Sequence, residues 1–312
     1  MTNSQFFQES EKHLYIAFGQ SNMQGPGAIR ESDTLNISDR WQTLNVVAGT
    51  YASVVREKGR WYKAVPPIII PDNGLINYLG LDTGLSPSDH FGRTMVNGTP
   101  DHITLGLVAV ANGDLALSAF RKTLGAAYFS AGQGGIVDGI TRTNNRPSDT
   151  ERQGWTRYTG AGYASIYDAL VTNIKLAQSQ GWMVKGIIIH QGESGRGLED
   201  KPWVEILKEI YDDMLGDIGL KPNSIPIICG QIFGGGANAH SAGNDGGATL
   251  GNMLHTDNRI QNVMPNAWII SSDGCGARTG HKQPDGTHFG SEGIQLLGER
   301  YGKEMLKLVY GK

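Results

Sequence analysis

The chain has 312 residues, a formal net charge of −3, 39 % hydrophobic residues and 18 % charged ones. These values describe an ordinary globular protein with room for one large α/β domain or two small ones. A mildly acidic chain without a Lys/Arg cluster does not neutralise phosphates, so no nucleic-acid partner is expected. No apolar stretch approaches the roughly 18–20 residues that span a bilayer, so no membrane partner is expected either. Met1–Glu11 is polar and lacks an apolar signal core. The expected setting is secreted or periplasmic, with a signal absent from this chain, or else the cytoplasm. The two cysteines, Cys229 and Cys275, are too few for a thiolate zinc cage and leave both one disulfide and two free thiols open.

Five apolar runs read as buried parallel strands: Leu14–Phe18, Ile103–Val110, Val184–His190, Ile225–Gly230 and Ala267–Ser271. Each is short, rich in β-branched residues and followed by a Gly- or Ser-rich turn. Between them lie helical patterns. Tyr163–Gln180 carries Ile166, Leu170, Ile174 and Ala177 on one face. Trp203–Ile218 carries Leu207, Ile210, Met214 and Ile218, with Pro202 suited to its first turn and Gly219 to its C-terminal cap. The last helix runs from about Ser291 to Val309. Strands alternating with helices predict a three-layer α/β/α sandwich around a five-stranded parallel sheet in the flavodoxin-like order 2-1-3-4-5. The stretches Ala119–Gly162 and Ile232–Asn252 read as long loops, and residues 1–312 read as a single domain.

Three short blocks carry chemistry. Gly19-Gln20-Ser21-Asn22-Met23 follows the first strand, where a Ser flanked by Gly stands exposed on a sharp turn, as a nucleophile must. A Ser capping the following helix is the plainer reading. Asp285-Gly286-Thr287-His288-Phe289 precedes the last helix. His288 has the acidity for a general base, and Asp285, three residues earlier on a tight turn, can orient it. The plainer reading is an Asp-Gly turn with a surface His. His190-Gln191-Gly192-Glu193-Ser194 ends the third strand. Gln191 can donate to an oxyanion, and Glu193 can orient a base or bond to the Ser21 loop. The plainer reading is a polar loop that satisfies its own backbone.

Together these blocks resemble those of the sialate O-acetylesterase and acetylxylan esterase group, carbohydrate esterase family 6 within the SGNH hydrolases. The likeness runs from about Leu14 to Leu308. It implies that Ser21 is the nucleophile, His288 the base, and Asp285 or, as in some members, Glu193 the orienting acid. It implies an oxyanion hole from Ser21, Gly113 and Gln191, and substrate contacts from Gln20, Asn22 and Arg93. Members often have two Gly followed by Thr in the second block, where this chain has Asn112-Gly113-Asp114. The implied activity is a carbohydrate O-acetylesterase that needs no metal or cofactor. Its expected partner is an acetylated poly- or oligosaccharide, acetylxylan ahead of an O-acetyl sialic acid. A non-catalytic carbohydrate-binding protein on this fold is expected to have lost Ser21 or His288, and both are present. A glycosidase pairing Glu193 with Asp285 leaves the Ser21 block unexplained.

Several residues outside the blocks carry weaker readings. Tyr128, Phe129, Trp155 and Tyr158 suit either a sugar face or the pinning of their loop. His240 and His255 lack metal-site spacing, and the Gly234-Gly235-Gly236 run reads as a lid rather than a phosphate loop.

Overall fold

The computed structural model describes residues 11–123, 136–137, 140–141, 149–193, 202–233, 256–278 and 286–312. The first strand, β1 (Lys12–Gly19), is buried from its second residue to its last. Successive side chains leave a strand on opposite faces. Leu14, Ile16 and Phe18 accordingly enter one apolar cluster, and Tyr15 and Ala17 enter another. A strand buried on both sides needs helices on both sides.

Six more strands complete the central sheet: β2 (Trp41–Leu44), β3 (Trp61–Lys63), β4 (Thr104–Ala111), β5 (Met183–His190), β6 (Ile227–Gly230) and β7 (Ala267–Ile270). Their order is β7-β6-β5-β1-β4-β2-β3. Every neighbouring pair is parallel except β2 with β3. The five runs read from the sequence are β1, β4, β5, β6 and β7, and they stand in the expected order. The sheet is wider than expected because β2 and β3 extend it beyond β4. Both are short, and the edge strand β3 is only partly buried, with Lys63 exposed, so neither presents a continuous apolar run.

Among the described residues the helices are α1 (Ser21–Gln24), α2 (Asn73–Leu79), α3 (Pro87–Gly98), α4 (Asp149–Gly160), α5 (Ile166–Ser179), α6 (Trp203–Asp217) and α7 (Ser291–Tyr310), beside a single helical turn at Glu31–Thr34. One apolar cluster holds the buried faces of α5 and α6, and the other holds those of α3 and α7. The start of α3 is written in Ser86-Pro87-Ser88-Asp89. The Ser86 hydroxyl accepts from the Ser88 N–H, and the Asp89 carboxylate accepts from the Ser86 N–H. The α3 and α7 backbones approach so closely that a Cβ on Gly298 would stand 2.4 Å from the Pro87 carbonyl oxygen.

The stretch read as a loop from Ala119 to Gly162 contains α4. Only a narrow apolar face marks that helix, and its Tyr158 hydroxyl donates to the Ala111 carbonyl at 3.0 Å. Tyr158 therefore pins the segment to the sheet, and Trp155 packs on the same cluster. Tyr128, Phe129, His240, His255 and Gly234–Gly236 lie outside the described residues. Cys229 and Cys275 are separate, buried thiols, and burial pushes Cys275 up to about 11.

At the carboxyl end of the sheet, β1 and β5 nearly touch. Gly19 adopts φ +150°, and a Cβ there would lie 2.1 Å from the His190 carbonyl oxygen. Only glycine fits such a contact with backbone. Gly19→Ala is expected to destabilise the fold by about 2 kcal/mol or more, read as a lower urea midpoint. An unchanged midpoint would contradict this account of the turn.

Candidate active site

The carboxyl ends of adjacent parallel strands form the crevice in which open α/β sheets bind ligands. β1 ends at Gly19, and α1 begins two residues later. Gln20 is extended, and its N–H donates to the His190 carbonyl at 3.1 Å. Ser21 is thus held at the head of a single helical turn. Heading that turn, its N–H has no intrahelical acceptor. The Ser21 Oγ lies 2.8 Å from His288 Nε2, although 267 positions separate the two residues in sequence. Their exposures are 5 % and 9 %, so the contact is largely screened from water.

Asn22 makes this meeting reproducible. Its Nδ2 donates to the Thr287 carbonyl at 3.0 Å, and its Oδ1 accepts from the Phe289 N–H at 3.2 Å. Both backbone groups flank His288. The second Nδ2 proton goes to Glu193 Oε1 at 2.6 Å. Asn22 is completely buried, and these bonds commit both ends of its amide. Asn22, expected at the substrate, is placed as a brace between the nucleophile turn and the segment carrying His288.

Glu193 also faces inward. Its Oε1 lies 3.2 Å from His190 Nε2, and the His190 Nδ1 lies 3.2 Å from the Tyr301 hydroxyl. Burial raises the Glu193 carboxyl, but His190 and the Asn22 amide outweigh it and hold the group below its ordinary range. Its described partners are thus His190 and Asn22, which places it one residue removed from His288 through the Asn22 amide. The other sequence reading, a bond to the Ser21 loop, matches the contact with Asn22. Asp285 lies outside the described residues.

The expected oxyanion donors diverge. The Gly113 N–H donates to Gln24 Oε1 at 2.8 Å. With the Asn112 amide oriented to suit its neighbours, its oxygen also accepts from Gly113 at 3.1 Å, and its nitrogen donates to Asp72 at 3.0 Å. In this structure the Gly113 N–H is therefore engaged by side chains of the site's own rim, Gln24 and Asn112. Gln191 Nε2 donates to the Leu115 carbonyl at 3.1 Å, and its Oε1 accepts from the Trp203 indole at 2.5 Å. Gln191 thus ties β5 to α6 and the loop after β4.

Gln20 and Arg93, the other expected substrate contacts, are placed as follows. Gln20 is fully enclosed, at 0 % exposure. Arg93 donates to the carbonyls of Asp33 and Leu35 at 2.7 and 3.0 Å, bracing the Glu31–Thr34 turn.

Three residues that the sequence reading missed border the site. Gln24, one turn after Ser21, donates through Nε2 to Asp72 Oδ2 at 2.8 Å. Asp72 also caps α2 by accepting from the Leu75 N–H at 2.9 Å. Tyr78 on α2 stands with its ring centroid 5.7 Å from that of His288. The spacing of Gln24 from Ser21 and the Pro71-Asp72-Asn73-Gly74 turn signal were readable. Their convergence was not, because nothing local ties residue 72 to residue 24.

With this geometry in view, residues 11–307 match the family described as carbohydrate esterase, sialic acid-specific acetylesterase. The fold is similar to that of a protein from Arabidopsis thaliana at 17 % identity and TM-score 0.61, covering 96 % of this chain and 99 % of that one. It is similar to NanS at 14 % identity and TM-score 0.61, covering 97 % and 99 %. A carbohydrate acetylesterase from Xanthomonas citri matches at 14 % identity and TM-score 0.55, over 96 % of this chain and 57 % of that one. At these identities the likeness to the solved structures is one of fold.

The Glu193 environment sets a pH dependence. A carboxyl depressed in the folded state stabilises the fold above its unfolded pKa of about 4.3, and that contribution is lost as pH falls through the folded pKa. The unfolding-midpoint gap between wild type and Glu193→Gln is expected to be widest above about pH 5 and to close in acid. Thermal melts between neutral and acid pH check this; a gap that widens in acid would contradict it.

Proposed function

The chain belongs to the carbohydrate esterase family of sialic acid-specific acetylesterases, and from that premise we propose that Ser21 and His288 remove acetyl groups from sugar hydroxyls through an acyl-enzyme. The 2.8 Å contact between Ser21 Oγ and His288 Nε2 is the observation that carries this reading. An alcohol attacks a carbonyl only as its proton leaves, and an imidazole nitrogen at hydrogen-bond distance receives that proton.

The steps follow from this pair. Ser21 Oγ bonds to the acetyl carbonyl carbon while its proton passes to His288 Nε2. The carbonyl oxygen takes up negative charge, and the Ser21 N–H stabilises it. The tetrahedral species collapses, the bond to the sugar oxygen breaks, and His288 returns the proton to that oxygen. Water then attacks the acetyl-Ser21 carbonyl, His288 takes its proton, and acetate leaves as the Ser21 hydroxyl is restored. Asp285, three residues before His288, is the proposed acid that holds the imidazole in its productive tautomer.

The likeness of the Ser21 and His288 blocks to acetylxylan esterases favours acetylated xylan as substrate, in a secreted or periplasmic setting. The description of the family favours an O-acetyl sialic acid as the second reading. Acetate release from the two substrates separates them.

Ser21→Ala and His288→Ala are each expected to lower kcat by about 10³-fold or more. Acetate release that is equal in wild type and Ser21→Ala would refute the mechanism. Asp285→Asn is expected to cost far more kcat than Glu193→Gln in enzyme that remains folded; the reverse order would return the orienting role to Glu193.

A further inference from the structure

We propose that Tyr78 recognises the sugar, by stacking its ring against the pyranose that carries the acetyl ester. The inference deepens the acetylesterase reading and rests on it. In that mechanism His288 protonates the departing sugar oxygen, so the sugar must lie beside the imidazole. Tyr78 is already there: the two ring centroids are 5.7 Å apart and the planes are inclined by 58°.

Tyr78 is also presented outward. It is 37 % exposed, and among the described residues it is the aromatic member of the exposed large apolar side chains. Its neighbours on α2, Leu75 and Leu79, are buried and anchor the helix beneath it. An aromatic ring left partly in water keeps an apolar face for a ligand, and its hydroxyl gives it a polar edge. The C–H face of a pyranose suits the first and its hydroxyl groups the second.

The ring is held in place from both ends of α2. At the amino end, Asp72 accepts from the Leu75 N–H at 2.9 Å and from Gln24 Nε2 at 2.8 Å, which couples the helix to the nucleophile turn. At the carboxyl end, Arg278 donates to the Leu79 carbonyl at 2.9 Å and pairs with Asp82 at 2.7 Å. A platform fixed before binding loses little freedom when the sugar docks, so its contact appears as affinity. Simple esters such as ethyl acetate offer no ring to stack and gain nothing from it.

The test compares kcat and KM for an O-acetylated methyl xyloside and for ethyl acetate in wild type, Tyr78→Ala, Tyr78→Leu and Tyr78→Phe. Tyr78→Leu keeps an apolar contact on His288 without the ring and carries the test if Tyr78→Ala does not fold. Loss of the ring is expected to lower the ratio of kcat/KM between sugar ester and ethyl acetate about tenfold, chiefly through KM for the sugar ester. Tyr78→Phe is expected to retain most of that selectivity. Equal losses on both esters, or a displaced pH profile of kcat, would mean that Tyr78 merely shields the base, and would overturn the proposal. Wild type that cleaves ethyl acetate but neither this glycoside nor an O-acetyl sialic acid would instead overturn the carbohydrate reading itself.

Discussion

One amide side chain sets the geometry on which the rest of the site depends. Asn22 follows the proposed nucleophile directly, and it grips the backbone on both sides of His288 through the Thr287 carbonyl and the Phe289 N–H. The separation between Ser21 and His288 is therefore fixed by a covalent neighbour of one and the two covalent neighbours of the other. Its remaining proton goes to Glu193, buried on the far side. Such a network is expensive when any member lacks a partner and specific when all are satisfied.

The layers beneath hold that clamp in register. Gly19 lets β1 and β5 converge, which brings the 190–193 segment under α1. His190 stands between Glu193 and Tyr301, so α7 is tied to the same cluster that places Asn22. Phe289 packs edge-on against His190 and fills the space between the start of α7 and the end of β5. The parallel sheet thus delivers three strand ends to one rim, and the polar network converts that placement into hydrogen-bond distances.

What was legible in the sequence follows from what is local. β1, β4, β5, β6 and β7 are buried on both faces and read as continuous apolar runs, so both their positions and their order were predictable. The edge pair β2 and β3 is short and partly wet and left no such signal. Ser21 and His288 stood out because each sits in a compact block at the end of a strand or before a helix. The partners of Gly113 and Gln191 did not, because the direction of an N–H depends on what faces it. Gln24 meets Gly113 from 89 positions away, and Leu115 meets Gln191 from 76. Adjacency to Ser21 likewise says nothing about whether Asn22 points to substrate or to core. Asn22, Gly113, Gln191 and Arg93 make bracing contacts in this structure, and they do so with partners distant in the chain.

The central claim is that the Ser21 oxygen carries the acyl group. Its most direct test is reaction of the protein with diisopropyl fluorophosphate, followed by mass analysis of the intact chain and its peptides. The account predicts loss of esterase activity in step with a single phosphoryl adduct on the peptide containing Ser21. Activity that survives full modification of Ser21, or inactivation accompanied by an adduct elsewhere and none on Ser21, would contradict it.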